Sequence, residues 1–386
     1  MKESHFKKIR SEFQVPYRYD VFFTNNLFSI ENPIFANFME KETIGNTNRK
    51  LLILLDEGFL LHHKTIENEI QNYFQTRLPQ IQLIPEILVV PGGEESKNQS
   101  KYWEKILSAV NQYGIDRHSY LMVIGGGAVL DMVGYAAAIS HRGIRLIRVP
   151  TTVLSQNDSG VGVKNSINYF GKKNFLGTFS PPIAVFNDFT FLHSLEERDW
   201  RSGMAEAIKV SLIKNKTFFE WIESSVDRLV SRDPSAMEYL IYECARLHVE
   251  HISQGDPFEF GSSRPLDFGH WFAHKIEYLS DFTIRHGEAV AIGMALDSIY
   301  SSLVGDLEKS ECDRILSLLK GLGFSFQHPI VLEKGKDHLM VSLEEFREHL
   351  GGKLTLLMLE EIGKSKEVYS VDQTVLESAF IRLIQS

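Results

Sequence analysis

Cysteine is nearly missing from this sequence. Only Cys244 and Cys312 occur among its 386 residues, and neither belongs to a Cys-x-x-Cys spacing. This scarcity excludes a disulfide framework and a zinc site built from thiolates. A metal ion in this protein must therefore be held by histidine, aspartate or glutamate side chains.

Long apolar segments and an excess of positive charge are also missing. The longest apolar runs fall far short of the roughly 20 residues that a membrane-spanning helix needs, and the polar residues 1–4 are not a secretory signal. The 41 Lys and Arg residues face 50 Asp and Glu residues, a formal net charge of -9. Proteins that bind nucleic-acid backbones usually carry a basic excess. We therefore expect a cytoplasmic protein with neither a nucleic-acid nor a membrane partner.

The pattern of apolar residues changes along the chain. In the first half, short apolar runs closed by Asp, Gly or Pro alternate with amphipathic segments of helix length, which predicts a Rossmann-like, mostly parallel α/β sheet. From about residue 196 onward the apolar residues follow the 3.6-residue period of helices. We predict an α/β domain at 1–195 and an all-α domain at 196–386. Residues 1–45 have weak periodicity and suggest a strand pair or an extension. The strands are expected at 51–55, 87–90, 120–124, 144–149 and 183–186.

Glycine-rich loops follow two of these strands. Residues 125–127 are three consecutive glycines between a predicted strand and a predicted helix at 128–138. Glycines let a backbone approach a pyrophosphate, and the N-terminus of the helix offers free N–H groups. The motif is not GxGxxG, so a plain tight turn is an equal alternative. A second glycine pair at 92–93 lies on the same sheet edge and favours a dinucleotide.

Residues 151–174 predict a long loop that contains several lysines. Long loops in compact domains are usually functional, and lysines there suit an anionic substrate. Surface solubility is the alternative for any one of these lysines.

Histidines and one glutamate in the second half suggest a metal centre. His270 and His274 are one helical turn apart on the same face, His286 precedes another helix, and Glu206 lies in a third. Two imidazoles and a carboxylate would form an open zinc site with a free position for a substrate oxygen. A surface pair or hydrogen-bonded core histidines remain the alternative.

Seven ordered motifs over most of the chain resemble the 3-dehydroquinate synthase family, the sugar phosphate cyclases. They are GGGAVLD (125–131), HRG (141–143), PTTVLSQNDSGVGVKN (150–165), GKKNFLGTF (171–179), GMAEAIK (203–209), FGHWFAHKIE (268–277) and HGEAVAIGM (286–294). The resemblance implies the metal ligands Glu206, His270 and His286, with Zn²⁺ expected and Co²⁺ as an alternative. It implies substrate contacts from Lys164, Asn174, Lys209 and His274, and from Arg142 of the partner in a homodimer. It implies NAD contacts from Asp56, Glu94, Lys97, Gly126, Gly127, Asp131, Thr151, Thr152, Asp158 and Lys173.

The family's chemistry requires both halves of the chain. A secondary alcohol is oxidised by NAD at the metal, phosphate is eliminated, the ketone is reduced again, and the opened ring closes as a carbocycle by an aldol step. NAD is recycled without net turnover. The resemblance thus implies a phosphate-eliminating lyase.

Several positions depart from the family members that act on a keto acid. Asp267 stands where they have Asn, and Ser263 stands where they have Arg, with Arg264 next to it as a possible substitute. A lysine expected at 249–251 is missing, and the late Asp-Lys-Lys motif is replaced at 346–352. Each change removes a donor or a positive charge, and a buried carboxylate without a cation is costly. We therefore expect a neutral C7 sugar phosphate such as sedoheptulose 7-phosphate.

Three other functions remain open at this stage. The first is 3-dehydroquinate synthase proper, acting on 3-deoxy-D-arabino-heptulosonate 7-phosphate. The second is a metal-dependent polyol or glycerol dehydrogenase, which resembles the same two-domain plan but needs no phosphate-binding lysines. The third is an inactive binding protein, which retention of Glu206, His270 and His286 disfavours.

Overall fold

The computed structural model describes residues 8–43, 49–254, 257–258 and 266–386. Ser263 and Arg264, which the sequence analysis weighed as carboxylate-binding positions, lie outside the described residues. Elements are numbered in chain order.

The first half is built on a parallel sheet, as the alternating pattern predicted. Its strand order is β1-β9-β6-β5-β2-β3, and β4 also pairs with β2, beyond the end of β3. Residues 51–55 are fully buried, because helices cover both faces of the sheet. The strands are β1 (Asp20–Thr24), β2 (Arg49–Asp56), β3 (Ile81–Leu83), β4 (Leu88–Val90), β5 (Tyr120–Gly125), β6 (Arg145–Pro150) and β9 (Ala184–Asp188).

Alternate side chains of β2 pack into two different apolar clusters. Leu51, Ile53 and Leu55 belong to one cluster, and Leu52 and Leu54 belong to the other. Successive residues of a strand point to opposite faces, so one apolar run supplies both cores. The helices around the sheet are α1 (Ile34–Thr43), α2 (Glu57–His62), α3 (Ile66–Arg77), α4 (Glu95–Asn98), α5 (Ser100–Gln112) and α6 (Gly127–Ile139).

The prediction of a long loop at 151–174 is wrong in its second part. Residues 155–159 form a π-helical turn, and β7 (Lys164–Tyr169) pairs with β8 (Lys172–Phe179) in an antiparallel hairpin. The turn residues Phe170 and Gly171 both have positive φ, 52° and 70°. The hairpin is rich in Lys, Asn and Ser, which are uncommon in strands, so its composition concealed it.

The start of the chain forms the edge of the main sheet. β1 pairs in parallel with β9, with Asp20 opposite Ala184. Tyr19 just before it donates its hydroxyl hydrogen to the carbonyl of Val161 at 2.8 Å. The extension suggested for residues 1–45 therefore includes an integral strand.

The second half is helical, as predicted, with one hairpin that the sequence analysis did not predict. One helix begins at His270, and a break at Gly203 separates the helices Glu197–Ser202 and Met204–Lys214. None of the helices in the described ranges is long and apolar enough to cross a membrane. The elements are α7 (Glu197–Ser202), α8 (Met204–Lys214), α9 (Lys216–Ser224), α10 (Val226–Val230), α11 (Pro234–Gln254), α12 (His270–Leu279), α13 (His286–Leu303), α14 (Lys309–Gly321), α15 (Leu339–His349), β10 (Leu356–Glu361), β11 (Lys364–Val368) and α16 (Gln373–Gln385).

Candidate metal and dinucleotide site

Three helices bring Glu206, His270 and His286 together. One ligand atom from each residue lies within 4.8 Å of the other two. His286 Nε2 is 3.3 Å and His270 Nε2 is 3.6 Å from Glu206 Oε1. Glu206 comes from the first turn of α8, and the two histidines are the first residues of α12 and α13. This is the group that the sequence analysis suggested for a divalent metal.

The Glu206 carboxylate is placed to bind a cation. Its side chain is fully buried; Oε2 pairs with the Lys209 ammonium, and Oε1 faces the two imidazoles. Buried polar groups in proteins are normally satisfied, and a cation bound between Oε1 and the two imidazoles would give that oxygen its partner. The donor set of two nitrogens and one carboxylate suits Zn²⁺. The residues therefore fit a metal ion.

Lys209 lies one turn after Glu206 and forms an ion pair with it. Burial by itself lowers the pKa of the Lys209 ammonium, but the charges of Glu206, Asp158 and Asp267 outweigh burial and raise it above its usual value. Lys209 is thus a buried permanent cation beside the metal-binding group, which suits an anionic ligand.

Glu277 is a site residue that the sequence analysis quoted but gave no role. Its Oε2 lies 3.1 Å from His286 Nδ1. Lys173 Nζ donates to both of its oxygens, at 3.0 and 3.2 Å. The spacing of His270, His274 and Glu277 is i, i+4, i+7, which places all three on one helix face. That spacing was the available signal.

His274 completes the histidine group without joining the metal ligands. Its ring centroid is 5.5 Å from that of His270 and 6.3 Å from that of His286. The side chain is exposed, whereas His270 is buried. An exposed imidazole beside a buried metal-binding group is accessible to a substrate, in agreement with the role that the resemblance implied.

A buried carboxylate holds the residues on both sides of His270, one through its backbone and one through its side chain. Asp297 in α13 accepts hydrogen bonds from Gly269 N and Trp271 Nε1, each at 2.9 Å. Burial raises the pKa of Asp297 to about 7, although these two hydrogen bonds oppose the shift. Gly269 has φ = 77°, the left-handed conformation that ends the preceding loop and starts α12.

Asp56 lies at the centre of the predicted dinucleotide loops. It ends β2, and its carboxylate accepts hydrogen bonds from Gly58 N at 2.8 Å and Gly126 N at 3.4 Å. A Cβ atom at Gly92 would lie 2.6 Å from Asp56 Oδ1. The two glycine loops therefore meet at one carboxylate, at the carboxyl edge of the sheet, where ligands of such sheets bind.

The N-terminus of α6 begins directly at the glycine loop. Gly126 is its N-cap and Gly127 its first residue, so their strand-to-helix turn matches the prediction. A Cβ at Gly126 would only reach ordinary contact with Thr152, at 3.5 Å, whereas a Cβ at Gly127 would lie 2.5 Å from Ser159 Oγ. The Ser159 hydroxyl is buried and has no partner among the described residues.

Lys97 brings together two residues that were predicted separately, Asp131 and Asn174. Its buried ammonium donates to Asp131 Oδ2 at 2.9 Å and to Ser166 Oγ at 3.1 Å, and it also contacts Asn174 Oδ1. Nearby, Glu94 accepts a hydrogen bond from Asn168 at 2.6 Å. The predicted NAD residues Lys97 and Asp131 and the predicted substrate residue Asn174 are therefore neighbours.

Arg148 holds the segment between the glycine loop and the hairpin. It is fully buried and donates to the carbonyls of Gly160, Gly162 and Lys164 at 3.1, 2.8 and 3.0 Å, and to Asn165 Oδ1 at 2.7 Å. An arginine in the middle of the apolar run 146–149 was a visible signal that the sequence analysis did not use.

His248 of α11 directly precedes the segment 249–251, where keto-acid enzymes were expected to have a lysine. Its Nδ1 is 2.8 Å from Asp158 Oδ1, and the next residue, Val249, packs against an apolar cluster that contains Val161 and Val185. The position is therefore lined by an apolar side chain and a histidine that is already bound to a carboxylate.

The remaining predicted residues lie at the edges of this region. Thr151 N donates to the Gly125 carbonyl at 3.1 Å, and Thr152 N donates to Ser155 Oγ at 3.0 Å. Lys164 is exposed at the start of β7. Arg142 is exposed and has φ = 62°; its role in a partner's site stays a prediction.

The fold and the histidine–glutamate group define a class: two-part α/β proteins with a glycine-rich turn at the sheet edge and a metal-binding helical half. Residues 87–202 match the model of the 3-dehydroquinate synthase N-terminal domain, and residues 203–344 match that of the C-terminal domain. The chain belongs to the 3-dehydroquinate synthase family, and the prediction of a sugar phosphate cyclase of that family is confirmed.

Two curated relatives are 3-dehydroquinate synthases. The one from Halorhodospira halophila is 35% identical over 320 residues, 80% of this chain and 88% of the relative. The one from Dictyoglomus turgidum is 38% identical over 293 residues, 75% of this chain and 81% of the relative.

Among solved structures, a 2-epi-5-epi-valiolone synthase from Streptomyces hygroscopicus, solved with NAD⁺ and Zn²⁺, superposes with a TM-score of 0.87 at 27% identity, over 98% of this chain and 99% of that one. A 2-deoxy-scyllo-inosose synthase with carbaglucose-6-phosphate, NAD⁺ and Co²⁺ has a TM-score of 0.76 at 23% identity, over 93% and 95% of the two chains, which shows the shared fold. An iron-containing alcohol dehydrogenase at 13% identity shares the fold as well, with a TM-score of 0.62 over 97% and 99%.

Proposed function

We propose that this protein is an NAD- and metal-dependent lyase that converts a neutral-headed C7 sugar phosphate into a carbocycle and releases inorganic phosphate. The proposed substrate is sedoheptulose 7-phosphate or a close analogue. The proposed metal is Zn²⁺, with Co²⁺ as the alternative.

The observation that carries the proposal is the buried Glu206, whose Oε1 faces His270 and His286 while its Oε2 pairs with Lys209. A fixed cation next to a metal-binding group suits a substrate that offers both an alcohol and an anionic group. A simple polyol would not need Lys209. When bound, the metal supplies Lewis acidity and NAD supplies reversible hydride acceptance.

The chain's own residues would divide the remaining work. Lys209, Lys164 and Asn174 bind and orient the phosphate, and His274 is exposed beside the metal ligands, where it can hold or pass a proton. Arg142 from the partner adds a further positive charge in the proposed homodimer. The proposed NAD contacts are Asp56, Glu94, Lys97, Gly126, Gly127, Asp131, Thr151, Thr152, Asp158 and Lys173.

The lining of the pocket favours a substrate without a carboxylate. Asp267 contributes a negative charge near Lys209, and Val249 is packed into an apolar cluster where a lysine was expected. A substrate carboxylate there would face a carboxylate and gain no new cation. The likeness to a valiolone synthase over nearly the whole chain supports the same choice.

The rival substrate is the keto acid of the curated relatives, whose identity to this chain is higher. Purified protein supplied with Zn²⁺ and NAD should therefore be offered both sedoheptulose 7-phosphate and 3-deoxy-D-arabino-heptulosonate 7-phosphate. We expect phosphate release and a cyclitol product, identified by mass spectrometry, from the first alone. Formation of 3-dehydroquinate from the second would overturn the substrate assignment.

The same assay separates the other functions. Net NADH formation on glycerol or another simple polyol would identify a dehydrogenase, and failure to retain stoichiometric metal would favour a binding protein. As a further test of the pocket, Asp267→Asn with Ser263→Arg should shift the preference toward the keto acid. Unchanged substrate ratios would contradict the carboxylate argument.

We also propose the division into domains at 1–195 and 196–386, and a homodimer. The last strand of the main sheet ends at Asp188 and α7 begins at Glu197, which supports the boundary. Sedimentation at working concentration tests the dimer, because a monomer would leave Arg142 without its proposed role.

A further inference from the structure

We infer that Glu277 is a positioning residue for the metal: it fixes the imidazole of His286 so that Nε2 faces the ion, and Lys173 holds Glu277 in that position. The inference rests on the proposed metal site. It adds a residue that is not a metal ligand and that contacts, of the proposed ligands, only the nitrogen of His286 facing away from Glu206.

The hydrogen bond between Glu277 and His286 determines which nitrogen is free. Glu277 Oε2 lies 3.1 Å from His286 Nδ1. A carboxylate oxygen can only accept, so Nδ1 carries the hydrogen. The other nitrogen, Nε2, is the one that lies 3.3 Å from Glu206 Oε1. Metal-binding histidines commonly donate their second N–H to a carboxylate, which fixes the tautomer and the ring plane.

The Glu277 side chain has no freedom to turn away. It is only 5% exposed, and Lys173 Nζ contacts both of its oxygens, at 3.0 and 3.2 Å. Glu277 is therefore a fixed anion with one oxygen directed at His286.

Lys173 connects this pair to the other half of the chain. It lies in β8, whereas Glu277 lies on the same helix as His270. Glu277 thus orients the proposed ligand His286 and is itself held by Lys173, which belongs to the hairpin of the first half of the chain. If the Lys173–Glu277 ion pair served only to join the two halves of the chain, Glu277 would not need to contact His286.

The test is the zinc dissociation constant of the full-length protein, measured by competition with a chromophoric chelator. Glu277→Gln keeps the size of the side chain but loses its charge, and we expect zinc to bind about 10- to 100-fold more weakly. The matched control is Glu345→Gln in α15. It removes a carboxylate that lies 2.6 Å from Lys275, a residue of α12 like Glu277. We expect no change in zinc affinity for that variant.

A second variant keeps the test decisive if Glu277→Gln does not fold. Glu277→Asp retains the charge for Lys173 but is one methylene shorter, so its oxygen cannot reach both partners. We expect a loss of affinity smaller than that of Glu277→Gln, and a changed visible spectrum of the Co²⁺-loaded protein.

The outcomes separate this inference from the proposed function. If Glu206→Gln abolishes zinc binding while folded Glu277→Gln and Glu277→Asp bind zinc within about twofold of the unmodified protein, the positioning role is overturned and the metal site stands. If Glu206→Gln leaves zinc binding unchanged, the metal site itself is wrong.

Discussion

Gly293 of α13 touches the backbone of Gly269, the residue directly before the metal-site histidine of α12. A Cβ atom on Gly293 would lie 1.9 Å from the Gly269 carbonyl oxygen. The two helices that carry His270 and His286 therefore approach each other at a glycine pair, and their separation sets the distance between the two imidazoles.

Gly293→Ala should separate these helices. The clash is with backbone, which cannot rotate away, so we expect a loss of about 1–3 kcal/mol in the free energy of unfolding and weaker zinc binding. Alanine gains up to about 1 kcal/mol in helix propensity, so the measured loss understates the clash. Urea unfolding checks the change. Gly321→Ala at the end of α14 is the control, because its nearest atom is a valine methyl at 3.3 Å; equal losses in both variants would contradict this account.

Gly126→Ala should leave the fold intact and weaken NAD binding. The new Cβ makes only ordinary contacts, with Thr152 at 3.5 Å and Asp56 Oδ2 at 3.9 Å, but it occupies the face of the helix N-terminus that a pyrophosphate would approach. We expect an unchanged melting temperature and at least about a tenfold higher NAD dissociation constant by calorimetry. NAD binding equal to that of the unmodified protein would place the dinucleotide elsewhere.

Arg148→Met should destabilise the segment from Gly160 to Asn165. The variant leaves three buried acceptors and one part-buried acceptor without their donor, and each lost partner costs about 1 kcal/mol or more. We expect a loss of about 3–4 kcal/mol in urea unfolding. Arg145→Met in the same strand is the control, since Arg145 is only half-buried and its ion pair with Glu42 is long, at 3.7 Å. A cost below about 1 kcal/mol for Arg148→Met would show that water replaces the guanidinium.

Asp297 should make stability depend on pH below neutrality. Burial raises its pKa to about 7, whereas an unfolded chain has the ordinary value near 4. Below about pH 4 both states are protonated. Between about 4 and 7 only the unfolded state loses the proton, so stability falls as pH rises, by up to about 4 kcal/mol in total, and above 7 the penalty is constant.

Asp297→Asn isolates this contribution. The difference in unfolding free energy between Asp297→Asn and the unmodified protein should move in favour of the variant as pH rises from 4 to 7. Any constant offset from the new amide does not affect this slope. A difference that does not vary with pH would mean that the hydrogen bonds from Gly269 and Trp271 keep Asp297 ionised throughout.

The sequence predicted the sheet well for a physical reason. A parallel strand covered on both faces must be apolar along its length, so 51–55 and 120–124 were visible without knowing their neighbours. The hairpin at 164–179 was missed because lysine and asparagine residues interrupt the apolar pattern of its strands, and its pairing depends on a turn at Phe170 and Gly171. The helix boundary at His270 depends on Gly269 and on Asp297, which lies 27 residues further along the chain.

The candidate site shows the same limit. Glu206, His270 and His286 were identifiable as residues, but their distances depend on how three helices pack, for example through Gly293. Glu277 could have been found from its spacing to His270 and His274. The contacts between Lys97 and Asn174, between His248 and Asp158, and between Lys173 and Glu277 join distant segments, and no local pattern encodes them.

The pairing of β1 with β9 has a consequence for a nascent chain. Asp20 meets its partner Ala184 only after 164 further residues have been made, which takes roughly 10 to 30 seconds at common translation rates. During that interval the segment DVFFT, with two phenylalanines, leaves the ribosome without its partner strand. Such apolar β segments are prone to aggregation, so production of this protein should be sensitive to translation speed and to chaperone supply.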